Sequence, residues 1–365
     1  MKTIIIAHNF DTNSFAAMSH GLAHHLSDNG FRVVFISHFP YFEIPQIIKK
    51  NQGEIIVCSW PTKKRPTNFI DFWWFVKLYY KYKPDFVLGH FVGSNISILL
   101  SKILSFGKTQ TFEYYHTVSG AIITDLKKVD RKQKMLFLRK KMFYNFFCDK
   151  VICPSEIAKS DLESFFRYSK EIIIPNPITD RLIDFFVFKN DGVIVSFLGR
   201  FEPTKGILEM ILAFKNFKIK NPLANIKLQI AGSGSLNVEV LNLIQDQSDI
   251  VFFGALQYGD IDRYLLQSHY TIIPSKFDNL PTVGLESLML GRPILIANNT
   301  GLTHFLEHDV TGFIFNFAID SIENAFNTAF LNFIKIDQLS KNARECFLKN
   351  FTMNRYFKTI TPLFQ

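Results

Sequence analysis

Short runs of β-branched residues alternate along the chain with stretches whose apolar residues recur at helical spacing. Thr3–Ala7 is the first such run, and Phe15, Met18, Leu22 and Leu26 then mark one face of a helix that Gly30 ends. Arg32–Ser37 reads as the next strand. Ile55–Cys58, Phe86–Leu88, Thr109–Tyr114, Val151–Cys153 and Ile172–Ile174 continue the series, with helices between most of them. A second series runs through Val193–Leu198, Lys227–Ala231, Ile250–Phe253, Thr271–Ile273, Ile294–Ala297 and Phe313–Phe315. Strands alternating with helices predict an α/β fold of parallel, doubly wound sheets.

Pro175-Asn176-Pro177 interrupts this alternation, and it resumes only after Asn190-Asp191-Gly192. The chain of 365 residues exceeds what one hydrophobic core supports, so the interruption reads as a boundary between domains 1–180 and 181–343. Two open sheets in tandem predict a cleft between the carboxyl ends of their strands, where such folds bind ligands.

Composition changes the picture in three respects. Hydrophobic residues at 47% and charged ones at 20% describe a folded chain, and most of the 40 Phe are expected in its cores. The two stretches that approach membrane-spanning length are broken by Asp71 and Lys77, and by Asn95, Ser97, Ser101 and Lys102, so no spanning helix is expected. The apolar run after Met1-Lys2-Thr3 is too short for a signal peptide, which makes the expected location cytoplasmic. Cys58, Cys148, Cys153 and Cys346 lack paired metal-ligand spacing and read as free thiols, with no metal site expected.

The net charge is +9, and much of the excess is local. Lys127, Lys128, Arg131, Lys132, Lys134, Arg139, Lys140 and Lys141 stand against Asp130 alone and are followed by Met142, Phe143, Phe146 and Phe147. Residues 127–147 thus read as a basic, aromatic-edged amphipathic helix. It fits an anionic membrane surface, a nucleic-acid backbone, or an ordinary solvated face over a core. No helix-turn-helix or zinc-module signature accompanies the charge, so nucleic acid is not an expected partner.

The candidate chemistry lies at the strand ends of the second series. Asp278 and Glu286 bracket the start of a helix, with Pro281 at its expected first position and Leu285, Leu288 and Met289 on its core side. The amides before that helix, with its dipole, form an anion site, and carboxylates on either side suit sugar hydroxyls. Gly199-Arg200 ends one strand and Lys205-Gly206 opens the next helix. These two cations could neutralise a diphosphate without a metal. Ala231-Gly232-Ser233-Gly234 reads as a tight strand-to-helix turn. Asp260-Ile261-Asp262 reads as the cap of the helix Ile261–Gln267. In the first domain His116, after Phe112, Tyr114 and Tyr115, is expected to face the cleft.

Taken in order, Gly199-Arg200 with Lys205-Gly206, Ala231-Gly232-Ser233-Gly234, Phe253-Gly254, Pro274-Ser275, the Asp278–Glu286 pair, Gly291-Arg292-Pro293 and Thr311-Gly312 resemble the family 4 glycosyltransferases of GT-B fold. Cys153-Pro154-Ser155-Glu156 followed by Ile174-Pro175-Asn176-Pro177 adds to the resemblance, which is detailed over about residues 150–315. It implies two Rossmann-like domains facing a cleft, with a segment 344–365 that crosses back onto the first. It further implies a retaining, metal-independent transferase of bacterial surface polysaccharide, acting on a glycan or lipid-linked acceptor. The donor would be a UDP- or GDP-linked sugar, a co-substrate rather than a cofactor.

By that resemblance Arg200 and Lys205 hold the donor diphosphate, Glu286 the ribose and Asp278 the sugar side. Gly199 and Asn279-Leu280-Pro281-Thr282 line the donor, Leu256 packs the base, and His116 lies near the transferred sugar. Ser14 and Phe15 fall on the acceptor side. The family usually has Glu where Asp278 stands, and a glycine-rich turn where this chain has His8-Asn9-Phe10-Asp11-Thr12-Asn13-Ser14. A catalytically inert sugar-nucleotide-binding partner and a sugar-nucleotide epimerase of the same fold are the alternatives.

Overall fold

A computed structural model describes residues 1–12, 14–62, 68–91, 95–126, 129–184 and 192–365, with the Ser14 and Phe15 side chains outside the described set. The chain divides into two compact units. One comprises Met1–His116, Val129–Thr179 and Met353–Gln365, the other Thr117–Lys128 and Asp180–Thr352.

The first unit is built on β1 (Thr3–Ala7), β2 (Arg32–Ser37), β3 (Gln46–Lys49), β4 (Glu54–Ser59), β5 (Phe86–His90), β6 (Gln110–Tyr114), β7 (Lys150–Cys153) and β8 (Glu171–Ile173). Their order is β3-β4-β2-β1-β5-β6-β7-β8, parallel except for β3, which pairs antiparallel with β4. β3 was not expected. Its four residues, with Ile47 exposed, carry too little pattern to read.

Helices α1 (Ser14–Asp28), α2 (Phe69–Tyr82), α3 (Asn95–Leu104), α4 (Ser119–Asp125), α5 (Arg131–Phe147) and α6 (Glu156–Phe166) follow in chain order. From β4 onward each crossover advances in one direction along the sheet. Right-handed connections therefore place α2, α3, α5 and α6 side by side on one face, with α1 on the other. Ser155 of the Cys-Pro-Ser-Glu motif caps α6 by accepting from the Ala158 amide.

The second unit holds β9 (Val193–Arg200), β10 (Ile226–Ser233), β11 (Ile250–Gly254), β12 (Tyr270–Ile273), β13 (Ile294–Ala297) and β14 (Gly312–Phe315), all parallel in the order β11-β10-β9-β12-β13-β14. Its helices are α4, from the Thr117–Lys128 excursion, and α7 (Ile207–Lys220), α8 (Asn237–Ile244), α9 (Ile261–Leu266), α10 (Thr282–Met289), α11 (Ile319–Leu331) and α12 (Ile336–Asn350). Its core packs Phe197, Phe201, Phe214, Phe217 and Phe326 around Val195, Leu228 and Leu295.

The last helix, α13 (Met353–Ile360), returns to the first unit, where Tyr356, Ile360 and Phe364 enter the core. The expected boundary at 180 falls between Thr179 and Asp180. The expected return at 344 begins instead at Met353, because α12 stays in the second unit. There Arg344 forks Asp180 at 2.9 and 2.6 Å and reaches the Met289 carbonyl at 2.7 Å.

The basic helix also starts later than its charge pattern predicts. Asp130 accepts from the Gln133 amide at 2.7 Å and so fixes the first turn at Arg131. Lys127 and Lys128 lie outside the described residues. Phe143 is buried, whereas Met142 and Phe146 are exposed. Among the described residues no helix is long and apolar enough to cross a membrane, and all four cysteines are buried and free.

Candidate functional site

In each sheet the strand order reverses once, between β1 and β5 and between β9 and β12. Such a switch point opens a crevice at the carboxyl ends of the strands. In the second unit, Arg200 is the last residue of β9 and is exposed. Among the described residues no side chain pairs with it.

The backbone around Arg200 allows only glycine at key points. A Cβ at Gly232 would lie 1.9 Å from the Gly199 carbonyl oxygen, and one at Gly206, where φ is +66°, would lie 2.0 Å from that of Pro274. The Ala231-Gly232-Ser233-Gly234 stretch continues β10 as far as Ser233 before it turns. Gly206 presses the Arg200–Gly206 loop onto the segment after β12, where the Lys276 amide donates to the Thr204 carbonyl at 2.8 Å.

Lys205 therefore meets Asp278. Its Nζ donates to Asp278 Oδ2 at 2.5 Å, with both side chains largely buried. The expected pairing of Arg200 with Lys205 on a diphosphate thus needs Lys205 to be shared with Asp278. Asn279 and Leu280 are buried and lead into α10, whose first residue is Thr282. Pro281 is the residue before the helix, one position earlier than expected. Its carbonyl accepts from the Gly284 and Leu285 amides at 3.0 and 3.3 Å. Leu256 is half-buried in the loop after β11.

Glu286 is only 4% exposed. Among the described residues no hydrogen bond reaches its carboxylate, and the nearest cation, Arg181, stands 3.7 Å away. Arg181 is committed elsewhere. It forks Asp262 at 2.8 and 2.7 Å and donates to the Tyr258 hydroxyl at 3.0 Å. Burial pushes the Glu286 carboxyl up to about 7, with Arg181 opposing the shift and Asp262 adding to it.

The predicted capping role of the Asp260-Ile261-Asp262 triplet does not hold. Asp260 makes no side-chain cap bond, and Asp262 is consumed by Arg181, whose guanidinium outcompetes a neutral amide for a carboxylate. Arg181 was missed because it lies in the unpatterned interval after Pro175-Asn176-Pro177. Its one signal was an isolated cation four residues beyond that motif.

His116 belongs to the first unit and closes a hydrogen-bonded line of rings at that unit's switch point. Ser19 Oγ on α1 lies 2.8 Å from His8 Nδ1 and 3.2 Å from His90 Nε2, and His90 Nδ1 lies 3.1 Å from His116 Nε2. Tyr114 stacks on His90 and Phe91 on His116, each at 4.3 Å. Sequence reasoning named His116 but gave no role to His8, Ser19 or His90, which only the β1/β5 adjacency brings together. The acceptor-side residues Ser14 and Phe15 begin α1, and their side chains lie outside the described residues.

Burial lowers His8 to about 4 and His116 to about 3, and it lowers His90 well below its ordinary value. All three rings are uncharged at neutral pH. The unfolded chain takes up protons near pH 6.5, whereas the folded protein refuses them until about pH 4. The stability these rings contribute is therefore present above pH 6.5 and lost as pH falls toward 4. We expect the melting midpoint to fall steeply between pH 6.5 and 4.5, and His90→Asn to flatten that slope. An unchanged slope in His90→Asn would exclude the cluster as its cause.

Two doubly wound α/β units, each with a switch point at its strand ends, define the GT-B architecture of two Rossmann-like units. The model of the Glycosyl transferases group 1 family matches residues 179–346, and that of Glycosyltransferase Family 4 matches residues 17–181. The chain belongs to the group 1 glycosyl transferases of the family 4 type.

An uncharacterised glycosyltransferase of Methanocaldococcus jannaschii is 28% identical over 68% of this chain and 63% of its own length. The lipopolysaccharide 1,2-N-acetylglucosaminetransferase of Salmonella typhimurium is 24% identical over 49% of this chain and 52% of its own. The chain thus spans between half and two thirds of these relatives. HepE from Anabaena, solved with UDP-glucose, shares the fold with a TM-score of 0.71 at 15% identity, covering 100% of this chain and 99% of its own.

Proposed function

We propose that the chain transfers a hexosyl or N-acetylhexosaminyl group from a UDP- or GDP-linked sugar to a glycan or lipid-linked acceptor of a bacterial surface polysaccharide. The observation that carries this reading is Glu286, a buried carboxylate that no hydrogen bond reaches among the described residues, in the same unit as the Arg200 and Lys205 cations. A vicinal diol fits the first and a diphosphate the second.

In the reaction the bond from the anomeric carbon to the diphosphate oxygen breaks as the acceptor oxygen bonds to the same carbon. The acceptor proton passes to the departing phosphate. Arg200 and Lys205 neutralise the charge that develops on the leaving group, so no metal is required and attack on the donor's own face retains configuration. The lipopolysaccharide relative from Salmonella typhimurium and the UDP-glucose complex of HepE support the acceptor class and a UDP donor.

The Lys205–Asp278 pair favours one second reading, an inert binding partner whose cation is held away from the diphosphate. A panel of UDP-, GDP-, ADP- and CMP-sugars separates the two. A donor at about 100 times its dissociation constant adds on the order of 2.7 kcal/mol, which a thermal midpoint resolves. We expect one nucleotide class to stabilise the protein and to be turned over when acceptor extracts are supplied. Stabilisation without turnover selects the inert partner, and no stabilisation by any sugar nucleotide rejects both readings.

A further inference from the structure

The aromatic residues expected in the cores are not all there. Helix α2 buries Phe75, Leu78 and Tyr79 on its inner side, yet its outer side is also apolar, with Phe69 73%, Trp73 50% and Tyr80 57% exposed. These three positions recur at intervals of four and seven and form one stripe. Phe69, Phe72 and Trp73 pack on one another in a small exposed cluster. A helix apolar on both sides is ordinarily covered on both.

Two neighbours on the same sheet face repeat the pattern. α2 packs against α3 and α3 against α5. Phe106, just past α3, is 94% exposed, and α5 turns Met135, Leu138, Met142 and Phe146 outward in a second stripe. Arg131, Lys134 and Arg139 border that stripe, and Lys77 and Lys81 border the first. Asp71, the sole acid in the three helices, is buried against Thr62.

We infer that the outer face of α2, α3 and α5 docks the first unit on an anionic lipid bilayer. The occupant follows from the chemistry. Trp, Tyr and Phe beside lysines, with no exposed acid within the three helices and only the capping Asp130 at the start of α5, match the boundary between acyl chains and anionic headgroups. A protein partner of ordinary composition would be expected to meet such a field of cations with acids of its own. The sequence marks α5 alone, so the extension through α2 comes from the exposure of its aromatics. The inference is independent of the transfer reaction.

The test is flotation of the intact protein with phosphatidylcholine vesicles, with and without 30 mol% phosphatidylglycerol (roughly the anionic content at which surface potential matters). Binding to the anionic vesicles alone is expected, weakening at least about tenfold from low to high salt. The double substitution Phe69→Ser and Trp73→Ser is expected to weaken it about tenfold or more with the melting midpoint unchanged. Arg131→Glu with Lys134→Glu and Arg139→Glu should remove both the binding and its salt dependence.

Trp60 is buried and Trp74 half-buried, so Trp73 should dominate any lipid-induced blue shift and any quenching by brominated acyl chains. Trp73→Phe should lose both signals yet still float. Flotation unaffected by the α2 substitutions, without Trp73 quenching, would overturn the inference and leave only α5 at the membrane. No binding of the wild type, or a dimer in solution that Phe69→Ser with Trp73→Ser dissolves, would overturn it outright.

Discussion

Glu286→Gln is expected to make the protein more stable at pH 8 and to weaken its grip on the donor. The carboxyl is held at about 7 by burial, against about 4.5 in the unfolded chain. Between those values the folded protein keeps a proton that the unfolded chain has released, so this group's contribution is intact below about pH 4.5 and lost as pH rises through 7. Each pH unit across that window corresponds to about 1.4 kcal/mol, so an ionised Glu286 costs on the order of 3 kcal/mol at pH 8.

Glutamine fills the same space without that cost, because Arg181 retains Asp262. The variant and wild type should therefore melt together near pH 5, and the variant should melt higher at pH 8. Donor affinity should fall about tenfold to a hundredfold, since an amide offers one acceptor where a carboxylate offers two to a diol. Equal melting points at pH 8, together with an unchanged response to donor, would remove Glu286 from the donor site.

Lys205→Ala is expected to lower turnover about 10²–10³-fold with a smaller change in KM, the signature of a charge that counts most when the diphosphate leaves. Lys205→Arg should recover part of the rate. Asp278→Asn is the informative control, because it frees Lys205 while leaving the cation in place. If Asp278 only restrains the lysine, its removal should leave turnover within a few-fold of wild type. If Asp278 also binds the sugar, KM should rise. Turnover in Lys205→Ala within threefold of wild type would exclude the lysine from leaving-group stabilisation.

The strand series was legible because most of the parallel strands carry short runs of β-branched and aromatic residues between turn signals, and every one expected is present. What escaped was whatever depends on partners distant in sequence. Asp262 looked like part of a helix cap because a one-dimensional reading sees the helix start it sits in, not Arg181 81 positions earlier. His90 carried no signal in the sequence, and only the adjacency of β1 and β5 brings it beside His8. The Phe of α2 read as core because composition cannot tell which of two apolar sides is covered. At the donor site, motif order located Glu286 and Lys205. Only the fold shows that no hydrogen bond among the described residues reaches the first carboxyl and that the second side chain is already engaged.

The return of Met353–Gln365 bears on how the chain assembles. The Tyr114 hydroxyl meets that of Tyr356 at 2.7 Å across 242 positions, and Phe364 wedges its ring between Phe86 and Phe112. A chain emerging from the ribosome can finish the second unit, apart from its Thr117–Lys128 excursion, while the first still lacks these three core side chains. The first unit is thus begun first and completed last. Until it closes, the apolar groove awaiting Tyr356, Ile360 and Phe364 is open to a chaperone or to another nascent chain.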